Sequence, residues 1–472
     1  GHLPARNALV QFFGGALALI SGHSSGREGP AIHLGAASSS LLGQALELPN
    51  NSIRTLVGCG TAAAIAASFN APIAGVIFAM EVVMMEYSLT SFIPVMLASV
   101  TATLLTLPVY GVEPAFSVPE LAMKSLWEIP LVVLLGLIAG LAAALFIKIM
   151  RYVAGLPLGS PRQRIAIAGV LTGTTAIIVP QVMGIGYDTV NAALLGEIGL
   201  AALLLIMASK LVVSACSVGL GVPAGVIGPT LVIGATLGAA LDHLGAVVIP
   251  NVANDLGVYA LLGMGAMMGA TLQAPLAALM AVMELTANPA IILPAMLAIV
   301  VATMTASELF KSRSIFITAL EARGLHYLVD PLTLALRKVG VSGIMERALA
   351  RLEALTSFED ARDALQEDPR WIVIARDNVP TAVLNAADLA RHVDALGESG
   401  GNGDDIDLLE IPGLRMDVAL MDQRATLQQA RERVEQTGVE ALCITRTSAP
   451  MIVTVVGVLT AQDIDDYYRF SH

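Results

Sequence analysis

The sequence predicts an all-α polytopic membrane body of short, tilted and discontinuous helices, followed by a soluble α/β tail. Hydrophobic residues make up 56% of the 472 residues and charged residues only 14%, whereas a soluble domain carries roughly 25% charged residues. The mean hydropathy is +0.74. Residues 331–472 hold 14 Lys/Arg and 23 Asp/Glu, against 12 and 15 in residues 1–330. This charge distribution predicts a membrane domain over residues 1–330 and an acidic tail over residues 331–472.

The composition also excludes several classes of protein. So much apolar sequence rules out a wholly soluble enzyme and a disordered protein. The net charge of -12 opposes binding to nucleic acid, whose phosphates attract Lys and Arg. Cys59, Cys216 and Cys443 lie far apart and form neither a metal-ligand spacing nor a disulfide framework. The apolar runs contain no nucleophile–base pair and no His/Asp metal cluster, so we expect neither an enzyme nor a metal site.

The membrane body is predicted from a series of apolar runs. Only a few of them reach the roughly 20 residues of a full span, and many stop at Gly, Pro or Ser clusters. Irregular backbone inside a membrane is tolerated where protein buries it or where it lines a cavity, and broken helices mark the binding sites of transporters. The chain starts at Gly1 without a methionine or a signal peptide, and Leu9–Ile20 is already an apolar run, so we expect further membrane helices before Gly1. The runs are Leu9–Ile20, Ala31–Leu46, Leu56–Ala67, Ile73–Val83, Phe92–Leu107, Ile129–Met150, Ile165–Val179, Leu200–Val213, Val226–Leu241, Val258–Ala270, Ala274–Met283 and Ile291–Thr305.

The membrane body also repeats itself. Ala67–Val82 aligns with Ala270–Leu285 at an offset of 203 residues, with six of sixteen positions identical. A second pair of motifs, residues 26–30 and 225–229, aligns at an offset of 199 residues. Two motifs in the same order predict a duplicated membrane fold with a site at the interface of the repeats. Glu81 and Glu284 occupy matching places, and we interpret them as structural partners of buried donors.

The sharpest motif is Gly26-Arg27-Glu28-Gly29-Pro30, which opens an apolar run. A helix that begins there presents unpaired N–H groups and a partial positive charge, which suit an anion. The matching motif, residues 225–229, opens a second apolar run in the same way. Two such helix ends would hold a small dehydrated anion weakly enough to release it. Glu28 is a carboxylate inside the membrane, so we predict a gate that responds to pH and to the permeant ion. The alternative is a carboxylate that only caps the helix. The other predicted anion-binding positions are Gly26, Arg27, Gly29, Pro30, Gly225, Val226, Ile227, Gly228 and Pro229.

These motifs, with Ser68-Phe69-Asn70-Ala71-Pro72-Ile73-Ala74-Gly75 between them, resemble the CLC family of chloride channels and chloride/proton antiporters. The resemblance covers roughly residues 1–325. It implies a homodimer with one chloride pathway in each subunit, two inverted repeats per subunit, and Glu28 as the external gating glutamate. The family's serine anion ligand would lie before Gly1.

The sequence departs from the family pattern at three positions. Ile227 stands where an aromatic residue is usual. Phe316 matches the tyrosine that lines the inner anion site, and it lacks the hydroxyl. Val82 replaces the inner carboxylate of the antiporters, although Glu86 follows at i+4 on a continuing helix. We therefore predict a voltage-gated-type chloride channel, with a chloride/proton antiporter as the alternative. A CBS-regulated divalent-cation transporter is less favoured, because it needs several facing carboxylates.

The tail is predicted to hold two CBS-like α/β units, about 341–394 and 411–468, joined by a flexible linker over Gly397–Asp407. The second unit ends in the strand-to-helix signature Gly457-Val458-Leu459-Thr460-Ala461-Gln462-Asp463-Ile464, which resembles CBS domains. The counterpart in the first unit, residues 382–389 with Asp388 in the place of Asp463, is degenerate. In that family a Thr and an Asp placed like Thr460 and Asp463 hold an adenosine ribose, so an adenine nucleotide is the one cofactor the resemblance offers. The alternative is a purely structural pair that supports dimerisation.

The topology prediction rests on basic residues. Those that flank one loop of the body and the start of the tail mark the cytoplasmic side. We therefore expect a multi-pass protein of the cell membrane with a cytoplasmic tail, whose partners are chloride, the lipid bilayer and a second copy of the chain. The basic residues are Lys148, Arg151, Arg162, Arg164, Arg323, Arg337 and Lys338.

Overall fold

A computed structural model describes residues 3–111, 115–116, 123, 125–223, 225–248, 256–325, 331–399, 405–449 and 452–470. The chain divides into two compact units. The first comprises Gly1–Leu46 and Arg54–Tyr327, and the second comprises Glu47–Ile53 and Leu328–His472. Asp330, where the sequence predicts the domain boundary, lies outside the described residues.

The first unit is helical, and every predicted apolar run falls on a helix. Within the described residues, six helices are long and apolar enough to cross a membrane. Two short helices, α8 and α14, were not predicted, because eight and seven residues carry too little periodicity. The helices are α1 (Ala5–Ile20), α2 (Glu28–Ala45), α3 (Asn50–Phe69), α4 (Pro72–Phe78), α5 (Leu89–Tyr110), α6 (Ile129–Ala154), α7 (Pro161–Ile178), α8 (Tyr187–Leu194), α9 (Leu200–Gly219), α10 (Ile227–Val248), α11 (Leu256–Leu272), α12 (Pro275–Thr286), α13 (Ile292–Met304) and α14 (Ile315–Glu321).

The predicted duplication is visible in the backbone. Both α4 and α12 begin with Pro, whose fixed φ suits the first helical position, and both follow a left-handed residue, Asn70 (φ 53°) and Gln273 (φ 55°). Each helix also ends at a left-handed residue, Met85 (φ 54°) and Ala287 (φ 50°). The first pair is offset by 203 residues and the second by 202, so the first repeat holds one extra residue in this helix.

The extra residue lies in a π-helical turn, Ala79–Met84, that continues α4. A π-turn accommodates one more residue than an α-turn and often marks a functional site. The turn contains Val82 and ends before Met85. Glu86 therefore does not continue the helix at i+4 from Val82, and the expectation that it would lie one helical turn further on is wrong.

The centre of the first unit is built from α10 and α11. In the spanning window of α10, 89% of residues are buried, whereas only 17% are buried in α5. Glycines let α10 and α11 approach closely, since a Cβ added at Gly234 or Gly238 would overlap the backbone of Gly263 or Tyr259. Small residues serve the same purpose at helix interfaces in membranes generally.

The second unit is an α/β domain with an internal duplication. Strand β1 pairs parallel with β3, which pairs antiparallel with β4; β6, β7 and β8 repeat this order. An antiparallel pairing of β4 with β6 joins them into one six-stranded sheet. The elements are α15 (Pro331–Lys338), β1 (Leu349–Glu353), β2 (Leu355–Thr356), α16 (Phe358–Gln366), β3 (Trp371–Arg376), β4 (Val379–Asn385), α17 (Ala386–Ser399), β5 (Ile406–Asp407), β6 (Arg415–Asp422), α18 (Leu427–Thr437), β7 (Ala441–Ala449), β8 (Ile452–Thr460) and α19 (Ala461–Phe470).

The prediction of a flexible linker over Gly397–Asp407 is only partly correct. Its first residues complete α17, which runs to Ser399. Its last residues form β5, in which Ile406 pairs with Thr356 and Asp407 with Leu355. Residues 400–404 lie outside the described residues. The buried Ile406 side chain packs with the apolar core of the first half of the tail, which explains why this end of the linker is ordered.

Candidate functional site

The two glycine motifs meet, although 199 residues separate them. The N–H of Gly26 donates to the carbonyl oxygen of Gly225 at 2.8 Å, and the N–H of Gly225 donates to the carbonyl oxygen of Gly26 at 2.8 Å. This two-bonded bridge places the beginnings of α2 and α10 side by side. The unpaired N–H groups of both helices thus converge on one place, at the interface between the repeats.

Glu28 occupies this place with its own carboxylate. It is the first residue of α2, is only 2% exposed, and accepts a hydrogen bond at 3.0 Å from the N–H of Gly228 to its Oε1 atom. Its Oε2 atom has no hydrogen-bond partner among the described residues. A Cβ added at Gly26 or Gly225 would overlap the Glu28 carboxyl group, so both glycines are needed for the side chain to fit.

Arg27 brings a positive charge to the exposed side of the site. Its Nη2 atom donates to the carbonyl oxygen of Ser68 at 2.6 Å, and its guanidinium lies 5.7 Å from the ring centroids of both Phe69 and Tyr187. Cation–π contacts of this kind hold the group in position. Arg27 also lines an open pocket of about 470 Å³, so a cation faces this pocket one residue before the buried carboxylate.

Two residues near the site were missed by the sequence analysis. Lys210 is fully buried on α9, and its Nζ atom donates to the carbonyl oxygens of Val182 at 3.0 Å and Gly184 at 2.8 Å. Tyr187 is the first residue of α8, and its ring meets that of Phe116 edge-on at 5.2 Å. A lysine inside an apolar run is itself a signal of function, and it could have drawn attention to this segment.

Glu81 and Glu284 act as predicted, as partners of buried donors. The carboxylate of Glu284 accepts from the N–H groups of Ile73 at 2.9 Å and Ala74 at 2.7 Å, at the start of α4. The carboxylate of Glu81 accepts from Leu276 at 3.4 Å and Ala277 at 2.7 Å, at the start of α12. Each repeat thus caps a helix of the other with a charge that complements the helix dipole.

Val82 and Phe316 lie in apolar surroundings. Val82 is 9% exposed and belongs to the main hydrophobic cluster, and the half-buried ring of Phe316 meets Phe78 edge-on at 6.5 Å. A cavity of about 20 Å³ lies between α4, α12 and the start of α10, and its lining is wholly apolar. The lining residues are Ile65, Phe69, Ala71, Ala74, Phe78, Ile227, Met268, Ala277, Ala281 and Leu285.

The remaining predicted positions lie where the motifs place them. Gly29 and Pro30 form the first turn of α2, Val226 precedes α10, and Pro229 lies in its first turn. The part of the chain that the structure describes contains no group of three His, Cys, Asp or Glu able to hold a metal.

In the tail, Thr460 and Asp463 bind each other. The Asp463 Oδ2 atom accepts from the N–H of Thr460 at 2.9 Å and from its hydroxyl at 2.7 Å, and the N–H of Asp463 donates to that hydroxyl at 3.1 Å. This is a reciprocal cap of α19. Both polar side chains are therefore already engaged in a structural role.

Comparisons with known proteins agree with this architecture. The family described as "Voltage gated chloride channel" matches residues 1–307. A ClcB-like protein of Ralstonia nicotianae, named as a chloride channel protein, is 34% identical, with 65% of this chain and 73% of that protein covered. The H(+)/Cl(-) exchange transporter ClcA of Vibrio parahaemolyticus is 30% identical, with 60% and 63% covered. The chain thus spans less than two thirds of that second relative.

Solved structures show the same fold. A slow cyanobacterial Cl-/H+ antiporter is similar with a TM-score of 0.63 and 25% identity, over 68% of this chain and 78% of that chain. A eukaryotic CLC transporter is similar with a TM-score of 0.56 and 20% identity, over 97% of this chain and 81% of that chain. The second match extends through the α/β tail. The chain is therefore a multi-pass membrane protein that belongs to the CLC family of chloride channels and transporters.

Proposed function

We propose that the chain exchanges chloride for protons across the membrane, with Glu28 as the gate. The supporting observation is the buried Glu28 carboxylate on the N–H of Gly228. A chloride ion needs the same N–H donors, so the carboxylate and the ion compete for them. Protonation removes the negative charge of Glu28 and weakens its hold, which couples anion entry to proton binding.

Among the similar proteins, the Ralstonia relative is named as a chloride channel protein, whereas the Vibrio relatives and the solved structure at 25% identity are named as exchangers or antiporters. The larger group favours exchange over the channel predicted from the sequence. The ClcA relative is named as an H(+)/Cl(-) exchange transporter, and the structure at 25% identity is described as a Cl-/H+ antiporter. The absent carboxylate at Val82 and the absent hydroxyl at Phe316 had favoured a channel. A proton can also move through water, so these two absences do not exclude exchange.

A water path is compatible with the interior near the gate. The apolar cavity extends from Ile227, next to Gly228, to Phe78, which lies four residues before Val82. Its volume of about 20 Å³ is enough for one water, but a resident water also needs polar partners, and the wholly apolar lining offers none. Water is therefore only transient there, and we propose that such transient water carries protons to Glu28 without a carboxylate at Val82.

Passive chloride conduction is the second candidate. The observation that favours it is Val82 itself, a buried residue that cannot bind a proton, in the π-turn of the first repeat. In this case Glu28 opens and closes the pathway, and no proton crosses the membrane with each transported chloride.

Other properties are proposed with the family function. We propose a homodimer in the cell membrane that transports chloride and catalyses no reaction, with the tail as a cytoplasmic CBS pair. The Thr460–Asp463 cap favours a structural role for this pair. An adenine nucleotide would have to displace or reuse its hydrogen bonds, so we propose weak nucleotide binding at best.

Glu28→Gln tests the gate directly. Glutamine keeps the size of the side chain and imitates its protonated form, so we expect chloride flux into liposomes that no longer depends on external pH. Glu308→Gln, an exposed carboxylate on the same unit, is the matched control and should keep the pH dependence of the wild type. Unchanged pH dependence in Glu28→Gln would remove Glu28 from the gate.

A further inference from the structure

The hydroxyl of Tyr187 is a buried polar group that the proposed function leaves unused. Its oxygen is buried, and among the described residues its O–H has no acceptor; the neighbouring Arg27 guanidinium can only donate. A buried donor without an acceptor costs free energy, and native proteins retain such groups only rarely. This position therefore points to a ligand that the protein alone does not supply.

The segment that carries Tyr187 is held firmly against the start of α10. Gly186 has a left-handed backbone (φ 84°), and a Cβ there would approach Val232 to 2.9 Å. Ile185 packs so closely on Gly228 that a Cβ added to Gly228 would lie 2.9 Å from it. Lys210 fixes the carbonyl oxygen of Gly184 at 2.8 Å. The tyrosine is thus positioned by the same helix start that binds Glu28.

The surroundings of the hydroxyl are those of an anion site. The guanidinium of Arg27 lies 5.7 Å from the Tyr187 ring centroid, and both Arg27 and the Glu28 carboxylate interact electrostatically with the phenol group. Glu28 is only 2% exposed, and its Oε2 atom also lacks a hydrogen-bond partner in the described part of the chain. The site therefore combines a donor from Tyr187, a positive charge from Arg27 and an unsatisfied carboxylate oxygen from Glu28.

We propose that the Tyr187 hydroxyl is a further anion ligand, which donates a hydrogen bond to the chloride that replaces the Glu28 carboxylate. This inference rests on the proposed function and adds a residue to its site. A hydrogen bond to a charged partner is stronger than one between neutral groups, and the nearby Arg27 adds favourable charge. The edge-on contact with Phe116 keeps the ring in place, so the donor is ready before the anion arrives.

The test is Tyr187→Phe in a Glu28→Gln background, in which no carboxylate competes for the site. Phenylalanine keeps the ring and its contacts and removes only the hydroxyl. We expect the chloride concentration for half-maximal flux to rise at least about tenfold, as the loss of a hydrogen bond to a charged partner predicts. Tyr152→Phe, whose side chain is 72% exposed, is the control and should leave this concentration unchanged.

A second measurement locates the ion itself. Crystals of Glu28→Gln grown with bromide should show anomalous density within about 3.5 Å of the Tyr187 oxygen, the limit of a hydrogen bond to a large anion. Absence of that density, together with an unchanged half-maximal concentration, would overturn the inference. Glu28→Gln flux that is independent of pH would then still support the gate. If Tyr187→Phe shifts only the pH profile of the wild type, the hydroxyl serves the carboxylate, and the inference is also wrong.

Discussion

The two repeats of the membrane unit build the same framework and differ where the chemistry occurs. Their glycine motifs pair through Gly26 and Gly225, and their acidic residues cap each other's helices. At the aligned position after the first glycine pair, however, one repeat has Glu28 and the other has Ile227. Under the proposed function, the symmetric positions form a place for an anion, and the asymmetric position controls its occupancy.

A second asymmetry lies further along each repeat. The helix that carries Glu81 contains the π-turn Ala79–Met84, whereas the helix that carries Glu284 stays α-helical through Thr286. The extra residue falls in the segment that contains Val82. By the resemblance to the family, this segment matches the one that carries the inner carboxylate of the antiporters, so under the proposed exchange both asymmetries lie on the path of the proton.

The largest effect is expected from making the glycine motifs alike. Ile227→Glu introduces a second carboxylate at a site that already holds Glu28, and two such charges repel each other and the anion. We expect chloride flux to fall to the level of empty liposomes. Ile227→Gln has the same size without the charge and should retain measurable flux. Equal flux in the two variants would contradict the proposal that the charge at this position controls occupancy by the anion.

The next largest effect is expected on stability, when the carboxylates of Glu81 and Glu284 that cap α12 and α4 are removed. Glu284→Ala and Glu81→Ala each leave two helix-terminal N–H groups without their acceptor, which we expect to cost about 2 kcal/mol of stability or more. Glu284 makes the shorter pair of bonds, 2.9 and 2.7 Å against 3.4 and 2.7 Å, so its loss should cost more. Thermal unfolding in detergent measures both, with the exposed Glu308→Ala as control. A larger loss for Glu81→Ala than for Glu284→Ala would contradict this order.

The framework was predictable from the sequence, and the finer geometry was not. Gly26–Pro30 and Gly225–Pro229 predicted both helix starts, because Gly and Pro define local backbone at helix ends. Matching positions identified Glu81 and Glu284. Tyr187, by contrast, follows two glycines in a segment of low periodicity, and only the packing of that segment on α10 places it near Glu28.

The position of Glu86 could also not be predicted from the sequence. A periodic pattern cannot reveal a π-turn, since one inserted residue changes the helix without changing its apolar character. The left-handed Met85 then redirects the chain.

The two halves of the tail can be compared in the same way as the two repeats of the membrane unit. In its second half, Asp463 caps α19 with Thr460. In its first half, the corresponding Asp388 instead accepts from the N–H of Leu414 at 2.7 Å. We expect Asp463→Ala to lower the stability of the tail by about 1 kcal/mol, the usual value of a helix cap, measured by denaturant titration of the whole protein. No change in stability would show that the cap is dispensable.

The same comparison extends to nucleotide binding. We expect calorimetry of the whole protein to detect at most weak binding of ATP or AMP, because Thr460 and Asp463 already satisfy each other. Sub-micromolar affinity would show that the pair is a binding site and not only a cap.

The smallest effect expected is on acid stability. The N–H of Ala348, with that of Arg347 and the nearby Arg370, lowers the pKa of Glu346 from its ordinary value of 4.5. A carboxyl with a lowered pKa stabilises the fold above its unfolded pKa, and that contribution is lost as the pH falls toward the folded pKa. Glu346→Gln should therefore flatten the loss of tail stability below about pH 4.5, as followed by circular dichroism. An unaltered acid profile would remove Glu346 from this role.

The central claim is that a proton accompanies chloride through the Glu28 gate, and the reversal potential tests it most directly. The protein is reconstituted in liposomes under a fixed chloride gradient, and the proton gradient alone is then changed. Exchange predicts that the reversal potential shifts steadily with the proton gradient, and that Glu28→Gln abolishes the shift while chloride still flows. A reversal potential that follows chloride alone in the wild type would contradict exchange and establish a passive channel.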